Sequence, residues 1–256
     1  MKSRTFSLDG NQLKLIAVFF MIFDHLYSYL FMGVWPQWFS LIARFVAPLF
    51  VFFLVEGFFH TSSRKRYLFR IIRAAAITWA GEIVINLAFH NVDSLTHKMT
   101  IYSVLEGNNI LVTLAIYLGV MWALELFREN KRHWYYLLLA IFLLIVSLMF
   151  EGGIYLWPIL LIFYFGYHKP KIESIGIIIW CLLLLAKAVM NGLQTKTGLY
   201  SSLTFDSEWM MISVLPFIWL YNGQRGKKNW ITKYFFYIIY PTHLWILMIL
   251  RYLFIK

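Results

Sequence analysis

Apolar residues run along this chain in long stretches, broken at short intervals by polar and basic punctuation. A helix crossing a hydrocarbon core needs roughly 20 mostly apolar residues, and such runs follow one another almost end to end. The pattern predicts helices over 11–33, 37–59, 67–88, 109–127, 134–149, 154–167, 174–190, 209–222 and 231–254, about nine crossings. The runs at 154–167 and 209–222 are short for full spans. The stretch 89–108, ending in Glu106-Gly107-Asn108, reads as a loop, an interfacial helix or a re-entrant piece. No Ser- or Gly-rich linker, low-complexity tract or internal repeat divides the chain, and the predicted outer loop at 191–208 is short. Residues 1–256 therefore read as one domain, all-α in class: a polytopic membrane helix bundle.

Composition excludes the soluble alternative. The chain is 61% hydrophobic and 14% charged, whereas a soluble domain has roughly 45–50% apolar and about 25% charged residues. The first run follows Lys2 and Arg4 as a secretory signal would. It is too long for one, contains Asp24 and His25, and lacks a small-residue cleavage site, so it reads as a retained first helix. Cys181 is the lone cysteine, which excludes an intramolecular disulfide framework, a Cys-rich metal site and an iron–sulfur cluster. Between Trp180 and Leu182 it reads as apolar packing.

A net charge of +11 raises the question of nucleic acid. The placement of the cations answers it. With the N-terminus in the cytoplasm, the inner segments hold Lys2 and Arg4; Arg64, Lys65 and Arg66; Arg128, Lys131 and Arg132; Lys169 and Lys171; and Arg225, Lys227 and Lys228. The outer segments hold only Lys98, Lys196 and Lys256. This bias selects an inside N-terminus, an outside C-terminus and an odd helix number in a cytoplasmic membrane. The basic charge is topological, with attraction to anionic lipid as a by-product. Trp35, Trp38, Trp134, Trp209 and Trp230 fall at predicted helix ends, where amphipathic rings suit the headgroup layer.

An ionisable side chain inside a membrane costs roughly 2.5–3.5 kcal/mol on insertion scales, so each needs a partner or a purpose. Those within the predicted helices are Lys14, Asp24, His25, Arg44, Glu56, Arg70, Arg73, Glu82, Glu125, Lys187, Lys233, His243 and Arg251. Lys14, Lys187, Lys233 and Arg251 can snorkel to the interface. At a rise of about 1.5 Å per residue, His25 and Arg44 lie roughly 12 and 10 Å below the outer ends of their helices, Glu82 about 9 Å below its own, and His243 nearer the midplane. Asp24 and His25 project about 100° apart, so they do not face one substrate together. Asp24 is assigned to pairing with a cation such as Arg44, leaving His25 to exchange a proton near neutral pH. The plain alternative is an Asp–Arg–His network that only holds helices together.

A second cluster gathers at the inner ends: Glu56, His60 and Thr61 finish the second helix, and Arg64, Lys65, Arg66, Arg70 and Arg73 surround the start of the third. Arginine forks donate paired hydrogen bonds to phosphate oxygens, so a nucleotide-bearing donor such as an acyl-CoA fits this mouth. Topology alone accounts for Arg64 to Arg66, but less well for Arg70 and Arg73 inside the helix. There is no Walker loop, no dinucleotide fingerprint in context and no HExxH motif, and His90, His97, His133 and His168 fall in loops or at helix edges. Nothing in the sequence supports a metal.

Several strings carry a family likeness. Leu13-Lys14-Leu15-Ile16-Ala17 precedes Met21-Ile22-Phe23-Asp24-His25. Ala43-Arg44-Phe45-Val46-Ala47-Pro48-Leu49-Phe50 leads to Val55-Glu56-Gly57-Phe58-Phe59-His60-Thr61, with Tyr67-Leu68-Phe69-Arg70 beyond. Tyr221-Asn222-Gly223 and Tyr240-Pro241-Thr242-His243-Leu244 follow near the C-terminus. Together these resemble the TraX family, whose namesake is associated with N-terminal acetylation of F-pilin and which looks related to the transmembrane acyltransferases. The match covers both ends, while 128–206 shares only hydropathy. The resemblance implies transfer of an acyl group from cytoplasmic acetyl-CoA or another acyl-CoA to an amine or hydroxyl at the outer face, on a peptide, glycan or small molecule. On that reading the basic mouth, with Glu56, His60, Arg70 and Arg73, holds the donor. His25 acts as general base with His243 in reserve, and Arg44 or a helix-end amide stabilises the oxyanion. The acyl group passes either directly or through a histidine intermediate. Two rival readings are a proton-coupled transporter using Asp24, His25, Glu82 and His243 as a relay, and a non-catalytic assembly factor.

Overall fold

The computed structural model describes residues 7–93, 96–107, 109–195, 198–227 and 230–255, without the side chains of 230–233. Lys2, Arg4, Asn108, Lys196, Lys228 and Lys256 lie outside the described residues, as do the side chains of Trp230 and Lys233.

Among the described residues the chain is helical, with no strand beyond one bridge between Leu8 and Tyr221. Helix α1 (Gly10–Leu26) starts from a capping box: Asp9 Oδ1 accepts from the amides of Asn11 and Gln12, and Gln12 Oε1 accepts from the amide of Asp9, each at 2.9 Å. It continues as a π-helical turn, Tyr27–Phe31. The second predicted helix is broken into α2 (Phe39–Ile42) and α3 (Val46–His60). Pro48 has no amide to give the Arg44 carbonyl, and its ring crowds that carbonyl, so the ladder opens at residues 43–45. The remaining elements are α4 (Arg64–Ala88), α5 (Ile101–Leu105), α6 (Ile110–Glu129), α7 (Tyr135–Ser147), α8 (Gly153–Gly166), α9 (Pro170–Gln194), α10 (Leu199–Phe205), a 3-10 turn at Ser207–Ser213, α11 (Val214–Leu220) and α12 (Trp230–Phe254). Helix α9 runs past both ends of its predicted span, and α10 occupies part of the expected outer loop.

Among the described residues five stretches are long and apolar enough to cross a membrane: Gly10–Phe31, Phe39–His60, Ile110–Glu129, Pro170–Gln194 and Tyr234–Phe254. Helices α7 and α8 and the stretch Ser207–Leu220 are apolar but shorter. Helix α4 has the length, but Arg64, Lys65, Arg66, Arg70 and Arg73 load its first three turns.

The fold gathers into two compact units, residues 1–56 with 158–234, and residues 57–157 with 235–256. In the first, Leu13, Ala17, Leu49, Val51, Ile159, Leu160, Ile177, Ala188 and Val214 are fully buried. The N-terminal edge is tied to the chain after α11. The Leu8 amide donates to the Leu220 carbonyl (2.8 Å), the Asn222 amide to the Leu8 carbonyl (3.0 Å), and the Gly10 amide to the Gln224 carbonyl (2.8 Å).

In the second unit Tyr117, Leu118, Val120 and Met121 of α6 and Leu244 of α12 are fully buried. Helices α4 and α12 run in the same direction, shown by ascending rungs. Arg70 lies over the Tyr237 ring, Trp245 Nε1 donates to the Thr78 carbonyl (3.1 Å), and Tyr252 donates to Asn86 Oδ1 (2.9 Å). After α4, the described residues 103–106 lie back along the same helix. Trp79 Nε1 donates to the Leu105 carbonyl, Asn86 Nδ2 to those of Val104 and Glu106, and Asn91 Nδ2 to that of Ser103. Irregular backbone buried against a helix needs such side-chain donors and acceptors, because water is not there to supply them.

Candidate functional site

In the first unit, Asp24 and His25 sit in the last turn of α1, immediately before the π-helical turn. Such turns occur where the regular ladder gives way to a locally demanded geometry, often at functional positions. The Tyr27 amide bonds back to the carbonyls of Phe23 and Asp24. The His25 ring stands edge-on to Tyr29 at 6.2 Å. Arg44 lies in the break between α2 and α3, and its charge acts on Asp24. Asp24 Oδ1 and Arg44 Nε are each buried without a hydrogen-bond partner among the described residues. Attraction between the two is thus present while hydrogen-bonding capacity is left over on both.

Aromatic rings close the surroundings. Phe45 stacks on Phe217 at 4.1 Å and meets Phe20 edge-on, while Phe23, Tyr27, Trp35 and Phe39 stack on one another beyond. Trp35 stacks flat on Phe31 at 4.3 Å, and Trp209 Nε1 donates to the Leu203 carbonyl. Trp35 and Trp209 are half-buried, whereas Trp38 and Trp134 are exposed. Ser40 fixes the short α2 by donating to the Thr204 and Gln37 carbonyls.

Glu56, at the far end of α3, lies within electrostatic reach of a second carboxylate, Glu173, and of the Tyr167 and Tyr221 hydroxyls. Such company does not attract phosphate, so attraction of that kind falls to the basic residues.

Those residues belong to the second unit. His60 ends α3 exposed, and the turn 61–63 leads directly into α4, whose N-cap Ser63 accepts from the Arg66 amide. Arg64, Lys65 and Arg66 form the first turn, where no acidic residue is present. Acidic side chains are the favourable ones at that position, because the helix dipole already makes a helix start positive. The start of α4 therefore concentrates cations where a helix accommodates them worst. Arg64 stacks on Phe58 at 4.6 Å and meets Glu129 at 3.9 Å, a half-exposed and weak pairing. The sequence treats Arg70 and Arg73 as a pair; the structure separates them. Arg70 is held between the Tyr67 and Tyr237 rings, 5.3 and 5.9 Å away, and its Nε is buried with no hydrogen-bond partner among the described residues. Arg73 is exposed, lying over Phe69 at 4.5 Å. Gly57 permits this arrangement, since a Cβ there would strike the Tyr67 ring.

His243 is buried in α12 two residues after Pro241. Its Nδ1 is 2.8 Å from the Ile239 carbonyl, which can only accept, so Nδ1 carries the proton and Nε2 is the basic nitrogen. Thr242 likewise donates to the Ile238 carbonyl at 2.8 Å, so both side chains bond back onto the stretch that the proline loosens. Of the other histidines, His90, His97 and His168 adopt left-handed backbone angles in turns, φ 52°, 52° and 63°, consistent with turn-forming roles. Cys181 is buried.

Sequence reasoning overlooked Glu151, in the turn between α7 and α8. Thr113 Oγ1 donates to the Glu151 carbonyl at 2.8 Å, and its carboxylate lies within electrostatic reach of Glu82. The available signal was an acid followed by Gly152-Gly153 between two wholly apolar runs. Among the described residues no group of three or more His, Cys, Asp or Glu side chains is arranged to hold a metal ion.

Buried charges on several long apolar helices define an integral membrane protein with polar work to do inside its helices. The chain belongs to the TraX family, whose sequence profile matches residues 9–251. It is 28% identical to a probable fimbrial assembly protein FimC, serogroup H1, of Dichelobacter nodosus, over 94% of this chain and 95% of that protein. No solved structure matches it significantly.

Proposed function

We propose that this protein is a membrane acyltransferase that takes an acyl group from cytoplasmic acetyl-CoA or another acyl-CoA and passes it to an amine or hydroxyl acceptor beyond the membrane. The observation that carries the reading is the start of α4. There Arg64, Lys65 and Arg66 occupy the positive end of a long helix whose first turn holds no acid, and Arg70 follows between two tyrosine rings with a buried N–H unmatched among the described residues. Phosphate groups of a nucleotide-bearing donor relieve both features, through helix-end amides and guanidinium forks.

The chemistry is assigned to the first unit. His25 takes the proton of the acceptor as the acceptor attacks the thioester carbonyl, and Arg44 stabilises the oxyanion that forms. Collapse expels the CoA thiolate, which recovers the proton from His25. Asp24 positions and balances Arg44. His243, with Nε2 basic, is the reserve candidate for the base. A relative named for fimbrial assembly makes a surface-fibre subunit the first acceptor to try.

The proposed topology has about nine crossings in the cytoplasmic membrane, with the N-terminus inside and the C-terminus outside. The common direction of α4 and α12 supports it, because helices three and nine of such a series run the same way. A reporter joined after the last residue is expected to be extracytoplasmic, and one within 129–132 cytoplasmic. The donor reading is tested by titrating acetyl-CoA into the detergent-purified protein. Saturable binding, weakened about tenfold or more in Arg70→Ala, is expected, and absence of binding to the folded protein overturns it.

A further inference from the structure

Helix α4 buries Ile71, Ala75, Thr78, Glu82 and Ile85. Arg66, Phe69, Arg73, Ile77, Ala80 and Val84 are all exposed, and because they recur every three or four residues they form one stripe along the helix. The stripe is charged at one end only: Arg66 and Arg73 lie towards the start of α4, with the exposed Lys65 beside them, and everything beyond is apolar. Arg73 lies roughly 13 Å along the axis from Arg64, at about 1.5 Å per residue. Its guanidinium sits over the Phe69 ring at 4.5 Å, one turn nearer the helix start, in keeping with the lean of long helical side chains towards the N-terminus. The charge is thus drawn back towards Arg66. Among the described residues none of Lys65, Arg66 and Arg73 forms an ion pair.

A guanidinium on a lipid-facing surface is costly until it meets water or an anion, and phosphate oxygens match its planar fork. From Ile77 to Leu87 the exposed apolar part of α4 covers about 15 Å, half of a hydrocarbon core roughly 30 Å thick and so the depth of one leaflet. Cations followed by one leaflet's depth of apolar side chains mirror the layout of an anionic phospholipid, phosphate first and acyl chains after. A free phosphate matches only the charged end. A second copy pairing through the same face, about an axis along the membrane normal, sets cation against cation.

We infer that the exposed stripe of α4 is a binding site for an anionic phospholipid, whose phosphate is held by Arg66 and Arg73 and whose acyl chains lie along Ile77, Ala80 and Val84. Phe69 braces the Arg73 guanidinium from beneath. The site does not rest on the acyl-transfer reading. It shares Arg66 with the proposed donor mouth, and Arg73 is the residue that tells the two apart.

The test is thermal unfolding of the detergent-purified full-length protein with added phosphatidylglycerol, with phosphatidylcholine of the same acyl chains, or with glycerol 3-phosphate. Phosphatidylglycerol is expected to raise Tm saturably, and the other two are not. Arg73→Gln, at an exposed position, is expected to shift the half-saturating phosphatidylglycerol concentration about tenfold upwards, while Arg70→Gln keeps the wild-type midpoint and Arg73→Gln keeps wild-type binding of acetyl-CoA. Native mass spectrometry is expected to find phosphatidylglycerol retained on the wild-type protein and depleted on Arg73→Gln. The inference is overturned if phosphatidylcholine acts as well as phosphatidylglycerol, which would make the face ordinary lipid-exposed surface, or if glycerol 3-phosphate does, which would make it a site for soluble anions. It is equally overturned if Arg73→Gln responds like wild type, or if copies pair through this face with no lipid retained.

Discussion

Asp24, near the end of α1, and Glu82, late in α4, are two buried acids placed in opposite electrostatic company. Asp24 feels the attraction of Arg44, while Glu82 feels the repulsion of Glu151. Both sit where a neighbouring helix is interrupted, at residues 43–45 in one unit and between α5 and α6 in the other. The two breaks deliver different chemistry, a guanidinium in the first and a closely packed glycine in the second. A cluster that balances its own charge can serve as machinery without a resident guest. A cluster of like charge instead carries a repulsion that a substitution can relieve.

The largest expected effect belongs to the balanced cluster. His25→Ala should reduce acyl transfer about 10²–10⁴-fold while acetyl-CoA binding persists. Unchanged transfer would move the base to His243. Stability then separates the two acids by sign. Asp24→Asn strands the Arg44 charge and should lower unfolding free energy by about 3–5 kcal/mol. Glu82→Gln should leave stability unchanged or raise it by about 1 kcal/mol, because it removes a repulsion. Equal losses in the two variants would erase the distinction.

A finer contrast lies one turn apart on α4. Arg70→Ala should weaken acyl-CoA binding about tenfold, or roughly 1.4 kcal/mol, whereas Arg73→Ala, which removes only an exposed arginine over Phe69, should change it less than twofold. Equal effects would return both arginines to a purely topological role.

The smallest effect concerns an ion pair away from both clusters. Burial opposes ionisation of Asp206, but hydrogen bonds from Asn191 and Lys187, with the Lys187 charge, hold its carboxyl below the usual value of 3.8. Its stabilising contribution is therefore present above about pH 4 and lost as pH falls further. Lys187 is half-exposed, so Lys187→Ala should cost under about 1 kcal/mol at neutral pH, with the difference from wild type shrinking in acid. A difference that grows on acidification would reverse the assignment.

Periodicity and hydropathy located the long helices within a few residues, since a helix ladder is satisfied by its own backbone and depends little on neighbours. Pro48 and Pro241 marked where that ladder weakens. What could not be read were features settled by distant contacts. The capture of residues 103–106 by Trp79, Asn86 and Asn91 depends on asparagines and a tryptophan that look unremarkable in an apolar run. Nor does anything in Tyr27–Phe31 signal a π-helical turn. The divergence of Arg70 and Arg73 follows from helical spacing only once Tyr237 has been placed beside α4. Glu82 was legible as a buried charge, but its relation to Glu151 was not, because Glu151 sits in a turn outside the predicted spans.

Leu8 and Gly10 take their backbone partners from residues 220–224, which a ribosome adds roughly 200 residues later, about 10–40 s at ordinary elongation rates. The first unit draws on residues 1–56 and 158–234, and the second on 57–157 and 235–256. Neither can close as it emerges. During synthesis the start of α1 waits with its edge unsatisfied, and the cationic start of α4 waits for Tyr237 to flank Arg70. Chains halted before residue 220 therefore lack the contacts that complete either unit, and should be recognised and degraded as unfinished long before their helices are too few to hold them in the bilayer.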